Sequence, residues 1–338
     1  MRLHRLYATK DTVHWGYFNR DLQPVLYVDS GDLIEVETIT HHAGDAPDLM
    51  MDEAIAQLFG DVAMADRGPG KHILTGPIHV AGAQPGDMLE VQFLDLIPRH
   101  PYGSNVTASW GYLYSDLGPE EWVTIYEFDE AYRTARPIFR FTYPGRYDVP
   151  GQIIAADEVQ REPISRSISV PLRPHVGCAG VAPEWSGRQS TVPPGHHGGN
   201  VDNWRLGKGA KAFYPVFVEG ALLSLGDPHA AQGDGELTGT AIESSLHVLI
   251  RVMVRKDFYL PTPVIETNEM WMIHGFSPDL NEAARQAAKY TLRFLTDIKG
   301  LTVREAYSLM SAGVDFTITQ VANRTFGVHT AIPKAMFE

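Results

Sequence analysis

Short runs of alternating apolar and polar residues dominate the first half of the chain. "LIEVETIT" (Leu33 to Thr40) and "MLEVQFLDLI" (Met88 to Ile97) put every second side chain on one face, the period of a half-buried β-strand. Turn-forming groups separate such runs: Asp29-Ser30-Gly31-Asp32, Arg67-Gly68-Pro69-Gly70, Gln84-Pro85-Gly86-Asp87 and Pro101-Tyr102-Gly103. Both strands follow a Gly-Asp step, an echo too short to define an internal repeat. Further strands are expected at "VTIYEFD", "PIFRFTYP" and "RSISVPLRP", and later at "AFYPVFVEGALLSLGD", "GELTGTAIESSLHVLIRVMVRKD" and "VIETNEMWMIHG".

Two stretches break this pattern. Residues 175–209 are rich in Gly, Pro and His, and the composition predicts an irregular segment there, ordered around Trp185 and Trp204. Near the end the period changes to that of helices. Ser277 can cap a helix opened by Pro278, with Ala284, Ala288, Leu292 and Leu295 on one face. Thr302 and Glu305 form a capping box for a second helix, with Ala306, Leu309 and Met310 following and Gly313 at the C′ position. Strands and helices do not alternate, which argues against a doubly wound or TIM-type fold. The expected fold is mainly β, sandwich- or barrel-like, with a short helical section near the C-terminus. It forms one domain over 1–338, with β-rich subdomains 1–170 and 171–338.

Composition narrows the setting. The chain has 338 residues, 44% of them hydrophobic, and a formal charge of −13. That charge argues against nucleic acid or an anionic membrane as partner, since both require basic patches. No apolar run approaches a membrane span, and the first residues lack the apolar core of a signal peptide. Cys178 is the single cysteine, which fits a reducing, cytoplasmic location and rules out a cysteine-rich zinc site.

Candidate chemistry concentrates in "SLGDPHAAQGDGE" (Ser224 to Glu236). In an extended segment Asp227 and His229 share a face, and imidazole and carboxylate both bind divalent ions at about 2.0–2.2 Å. Asp234 and Glu236 repeat that spacing across Gly235. The stretch lacks the ligand order of an EF-hand and the GK[ST] of a phosphate loop. It is equally a turn in which aspartates bond nearby backbone N–H groups. A second group is "PPGHHGGNVDN", where His196, His197, Asn200 and Asp202 surround Gly198 and Gly199, whose backbone N–H groups can face a ligand. A third is His41-His42, directly after the first alternating strand. Glu243 in "TAIESS" sits among small and apolar residues, where a carboxylate needs a partner. There is no GxSxG elbow and no HExxH, and a free cysteine is most often a small buried hydrophobe.

The segments "LTGPIHVAGAQPGDMLEV", "HVGCAGVAPEWS", "GGNVDNW", "FYPVFVEGALLSLGDPHAAQGDGELTGTAIE" and "EAYSLMSAGVDFTITQV" resemble the acetamidase/formamidase family, over about Pro24 to Pro333. The resemblance implies hydrolysis of short aliphatic or cyclic amides to a carboxylate and ammonia, a mainly β architecture, a divalent metal, often zinc, and a homo-oligomer of two or more copies. It implies metal ligands at Asp202, Asp227 and His229, with His42 substituting for an aspartate that the family carries after the "VET" strand. Glu243 is then expected as the catalytic acid–base, Asp234 as a second catalytic residue that with Glu236 orients the shell, and Gly198, Gly199 and Asn200 as substrate-binding donors. The alternative expectation is a β-rich small-molecule binding protein with a structural metal and no turnover.

Overall fold

The computed structural model describes residues 1–118, 120–147 and 149–337. Strands make up 38% of the chain and helices 17%, in agreement with the mainly β expectation. Two large sheets carry the fold. A nine-stranded sheet runs in the order Leu3–Leu6, Leu33–Thr38, Leu246–Arg255, Met88–Pro98, Lys211–Pro215, Val264–Glu266, Met270–Ser277, Phe326–Pro333 and Asp315–Gln320. Its long central pair, Leu246–Arg255 against Met88–Pro98, is antiparallel with Val248 opposite Leu96 and Val252 opposite Val91. Both sheets take strands from before and after residue 170: Leu33–Thr38 and Met88–Pro98 flank Leu246–Arg255.

The alternation read from the sequence sets the core. In Leu33–Thr38, residues Ile34, Val36 and Thr38 are buried and their neighbours are partly exposed. Ile34, Val36, Leu89, Val91, Phe93, Val248, Ile250 and Val252 join residues of the second sheet, such as Ile78, Val176 and Leu225, in one apolar cluster. Burying a side chain of this size contributes roughly 1.5–3 kcal/mol. This layer is the rigid support under the polar site of the twelve-stranded sheet.

The helical section covers part of the nine-stranded sheet. The helix begins at Leu280, capped by the Asp279 carboxylate, which accepts from Glu282 N, and not at Ser277-Pro278. Its buried residues are Ala283, Ala287 and Thr291, one position before the expected Ala284, Ala288 and Leu292. The expected stripe missed the phase because Thr291 is polar yet buried: its hydroxyl bonds Thr330 Oγ1 at 2.6 Å. Gly275 lets the helix come close, since a Cβ there would lie 2.2 Å from Ala283 O. Leu295 is buried, in a wider π turn over Phe294–Ile298. The Thr302–Glu305 capping box forms as expected at the start of Val303–Gly313, but Gly313 is the last helical residue and Val314 the cap.

Three further differences stand out. Residues 175–209 are not irregular throughout, for His175–Gly180 and Gly198–Asn200 are buried strands of the second sheet. The "RSISVPLRP" run keeps only Val170–Pro171 as a strand. A helix over Glu53–Asp61, capped by Asp52, was not expected. No described helix is long and apolar enough to cross a membrane.

Candidate active site

The site grows from one strand. Leu223–Ala231 lies inside the twelve-stranded sheet, and all nine of its residues are buried. On one side it pairs with His175–Gly180, with Cys178 opposite Gly226 and His175 opposite His229. On the other, His229 lies opposite Glu243, and the register shifts between His229 and Ala231. Asp227 sits mid-strand, two residues before His229, with φ of 53°. Its carboxylate and the imidazole of His229 meet, Oδ2 to Nε2 at 3.2 Å, while Glu243 Oε1 stands 3.4 Å from the same Nε2.

Two carboxylates complete the cluster. Asp202 follows the Gly198–Asn200 strand and is pinned by its N–H to Gly177 O at 3.1 Å. Glu236 closes the loop after the central strand, and both are buried. Asp202 and Glu236 also have positive φ, 49° and 48°. Non-glycine residues in this region carry strain of order 1 kcal/mol or more, and such strain concentrates at functional sites.

The donors are arranged for a cation. Asp227, His229 and Glu243 form one set of three whose ligand atoms lie within 4.8 Å of one another, and Asp202, His229 and Glu236 form a second. The His229 separations of 3.2 and 3.4 Å match the edge of about 3.3 Å expected of a tetrahedron with bonds of about 2.0–2.1 Å. His229 Nε2, Asp202 Oδ1 and Glu243 Oε2 are buried without a hydrogen-bond partner. Orphaned atoms of this kind are costly unless something binds them. Gly177 leaves the space open: a Cβ there would fall 2.5 Å from His229 Cε1, 2.6 Å from Asp202 Oδ1 and 2.7 Å from Asp227 Oδ2.

Outer contacts fix the imidazole. His229 Nδ1 lies 3.1 Å from Gln232 Oε1, and Gln232 donates its amide to Asp202 O at 2.6 Å. The Gln232 carbonyl oxygen can only accept, so Nδ1 carries the hydrogen and Nε2 faces the carboxylates, the arrangement of a metal-binding histidine. Asn323 donates to Asp202 Oδ2, leaving Oδ1 as the open oxygen.

The crowding of charge shows in the proton affinities. Burial, then the neighbouring Asp227, pushes Asp202 up to about 8. Burial and Asp202 raise Glu236 well above the usual carboxylate range, and burial and Asp227 raise Glu243. Burial opposes ionisation of Asp227 as well, yet the His72 and His229 rings hold it low. Burial would lower His229, but Glu243 and Asp227 raise it well above the usual value. A set of four buried carboxylates around one imidazole calls for positive charge.

A cavity of about 80 Å³ opens onto this cluster, lined by His42, Trp110, Asn200, Thr240, Asn323 and Arg324 among others. Such a volume accepts a ligand of a few heavy atoms.

The expected site residues divide as follows. Asp202, Asp227, His229 and Glu243 converge, and Glu243 stands among the ligand atoms. Asn200 reaches the cavity with Oδ1 unpartnered, whereas Gly198 and Gly199 do not line it. Asp234 is exposed and held by both nitrogens of the Arg205 fork at 2.7 and 2.9 Å, outside the cluster. The even spacing of Asp234 and Glu236 fails because Gly235 and Glu236 both adopt positive φ, which turns the second carboxylate inward. His42 lines the cavity but belongs to neither ligand set. Cys178 is buried with Phe18 and Leu74, and burial with nearby Asp227 and Asp202 pushes its thiol well up, against nucleophilic use. Sequence reasoning missed Asn323, whose segment carries no local ligand pattern.

Comparison with known proteins places this geometry. Residues 3–338 match the Acetamidase/Formamidase family. The formamidase of Methylophilus methylotrophus is 30% identical over 79% of this chain and 77% of its own. The acetamidase of Mycolicibacterium smegmatis is 36% identical over 52% of this chain and 51% of its own. The crystal structure of an acetamidase from Bacillus halodurans superposes with a TM-score of 0.77 over 98% of both chains at 26% identity.

Proposed function

The chain belongs to the Acetamidase/Formamidase family, enzymes that hydrolyse carbon–nitrogen bonds other than peptide bonds, and on that premise we propose that it cleaves short amides with the help of a divalent cation. The observation that carries this reading is the unpartnered Nε2 of buried His229, facing Asp227 and Glu243 at 3.2 and 3.4 Å. The donors fit a cation held by Asp227, His229 and Glu243, and one imidazole with carboxylates is a zinc-type set. A divalent ion in that place supplies a Lewis-acidic charge that acidifies water and polarises a carbonyl.

The remaining groups belong to this chain. Burial raises the proton affinity of Asp202 and Glu236, so a divalent ion in place would be what holds them ionised, and they are then the groups placed to accept the proton that water loses as it attacks the amide carbon. Glu243 thus moves from the acid–base role expected of it to that of a ligand, and Glu236 takes its place. Asn200 can orient the substrate from the cavity wall, its unpartnered Oδ1 accepting from an amide NH₂. The small cavity favours formamide, acetamide and compact lactams over long acyl chains. A cytoplasmic homo-oligomer is the proposed working form.

The test is a panel of linear and cyclic amides scored for released ammonia, with metal content measured on the same preparation. Turnover of the short amides, its loss with chelator and its return with zinc are expected. Full turnover in metal-free protein would remove the cation from the reading.

A further inference from the structure

Amide hydrolysis needs a proton on the departing nitrogen, because an amide ion is too poor a leaving group. The cation donors and the two bases leave that task open. We propose that His42, oriented by Asp45, is the catalytic residue that protonates the leaving nitrogen, in place of the metal-ligand role that its position after the first strand implied. The inference rests on the amide-hydrolysis reading above.

The geometry is that of an acid held in one orientation. His42 Nδ1 lies 2.9 Å from Asp45 Oδ2, and the same carboxylate oxygen accepts Ser104 Oγ at 2.6 Å. His42 and Asp45 are buried, 1% and 2% exposed. The ring stacks on Tyr147 at 4.9 Å with an interplanar angle of 10°, and Tyr147 Oη lies 3.4 Å from Nε2. Nδ1 is therefore committed to Asp45, and Nε2, held only by the long contact to the Tyr147 hydroxyl, is the nitrogen a substrate would engage in its place. Asp45 is the only carboxylate among the described residues within 4.0 Å of the ring nitrogens, and His42 belongs to neither set of donors whose atoms lie within 4.8 Å of one another.

Strand pairing sets the pair beside the site. Ser104, which holds Asp45, lies directly opposite Glu243 in the sheet. His42 and Glu243 line the same cavity. Burial disfavours charge on the His42 ring, but Asp45 at hydrogen-bond distance, with Glu243 and Asp227 beyond, raises its proton affinity above the ordinary value. With Nδ1–H directed at the Asp45 carboxylate, Nε2 is the position at which the ring takes up and gives away a proton in the proposed cycle.

The step balances. As the tetrahedral adduct collapses, the carbon–nitrogen bond breaks and its electron pair stays on nitrogen. Nε2–H of His42 gives its proton to that nitrogen, and ammonia departs from the new carboxylic acid. His42 is left neutral with Nδ1–H on Asp45. The proton taken from water by Glu236 or Asp202 restores it, so no external acid or base is consumed.

The test measures ammonia release, metal content and thermal melting on the wild type, His42→Gln and Asp45→Asn. Both variants should keep the wild-type metal content. Their kcat should fall about 10²–10⁴-fold, the range of a general acid, with KM within about threefold. Asp45 is a positioning residue, so the nitrogen-15 isotope effect on kcat/KM for Asp45→Asn is the added readout, and it should rise as unassisted bond cleavage becomes limiting. Metal loss in His42→Gln would make His42 a ligand and overturn the proposal. So would kcat within fivefold of wild type in both variants, or a slow Asp45→Asn with an unchanged isotope effect. If His42→Gln does not fold, Asp45→Asn and Ser104→Ala decide on the same readouts. Wild-type protein that releases no ammonia from any amide would instead remove the hydrolysis reading.

Discussion

Two buried strands of this molecule are filled in opposite ways. Leu246–Arg255 obeys alternation: Leu246, Val248, Ile250 and Val252 are buried and the residues between them are partly or fully exposed. Leu223–Ala231 is buried along its whole length, yet it carries Ser224, Asp227 and His229. The first gains stability from packing, since each apolar side chain leaves water. The second holds orphaned polar atoms and positive φ at Asp227, and its partners Asp202 and Glu236 share that strain. The apolar sheet thus stabilises an arrangement that on its own opposes folding.

The largest loss is expected at His229. His229→Ala removes the atom common to both ligand sets. Metal uptake should vanish and kcat should fall by at least about 10³-fold. Without its central donor the polar cluster should lose its metal-dependent gain in melting temperature, measured with and without added zinc. Full metal content and rate in this variant would show that the ligand set is wrong.

The two glutamates should differ from each other. Glu243→Gln should lose metal, because Glu243 Oε1 faces His229 Nε2 at 3.4 Å. Glu236→Gln should keep its metal and lose about 10²–10³-fold in kcat, the cost of removing a general base. Metal analysis with ammonia release on both proteins separates ligand from base. Equal metal loss in the two would assign both carboxylates to the ion.

The apolar strand should answer differently. Ile250 is fully buried in the core cluster. Ile250→Ala leaves a cavity and should cost about 2–5 kcal/mol of stability. The rate per folded, metal-loaded molecule should stay near wild type. Denaturant unfolding and active-site titration check the pair of claims, and a large loss of kcat with intact stability would erase the division between the two regions.

This contrast also explains what could be read in the sequence. Alternation reports burial on one face, so Leu33–Thr38 and Met88–Pro98 were legible almost to the residue. Asp202, Asp227, His229 and Glu243 were legible because charged residues stand out in apolar or glycine-rich surroundings. The partition between Asp234 and Glu236 was not, because it depends on the backbone dihedrals at Gly235 and Glu236. Asp45 lies three residues after His42, but its role appears only when Ser104 arrives from another strand. Asn323 reaches Asp202 across 121 residues of sequence, beyond any local pattern. The helix phase at Ala283 was hidden by buried Thr291, whose partner Thr330 lies on a distant strand.

The smallest expected effect lies farthest from the site. Thr302 caps the last long helix, its hydroxyl accepting from Glu305 N while Glu305 reaches back to Thr302 N at 2.9 Å. This contact is exposed and local, and Ala306 and Met310 bury the opposite face against the sheet. Thr302→Ala removes one N-cap and should cost about 1 kcal/mol. In a chain of this length that corresponds to a melting shift of about 2 °C or less. Metal content, kcat and KM should be unchanged, because the helix supports the nine-stranded sheet and supplies nothing to the carboxylate cluster. A Thr302→Ala protein with lost metal would mean that the helical section and the strained strand are coupled more tightly than their separate packing implies.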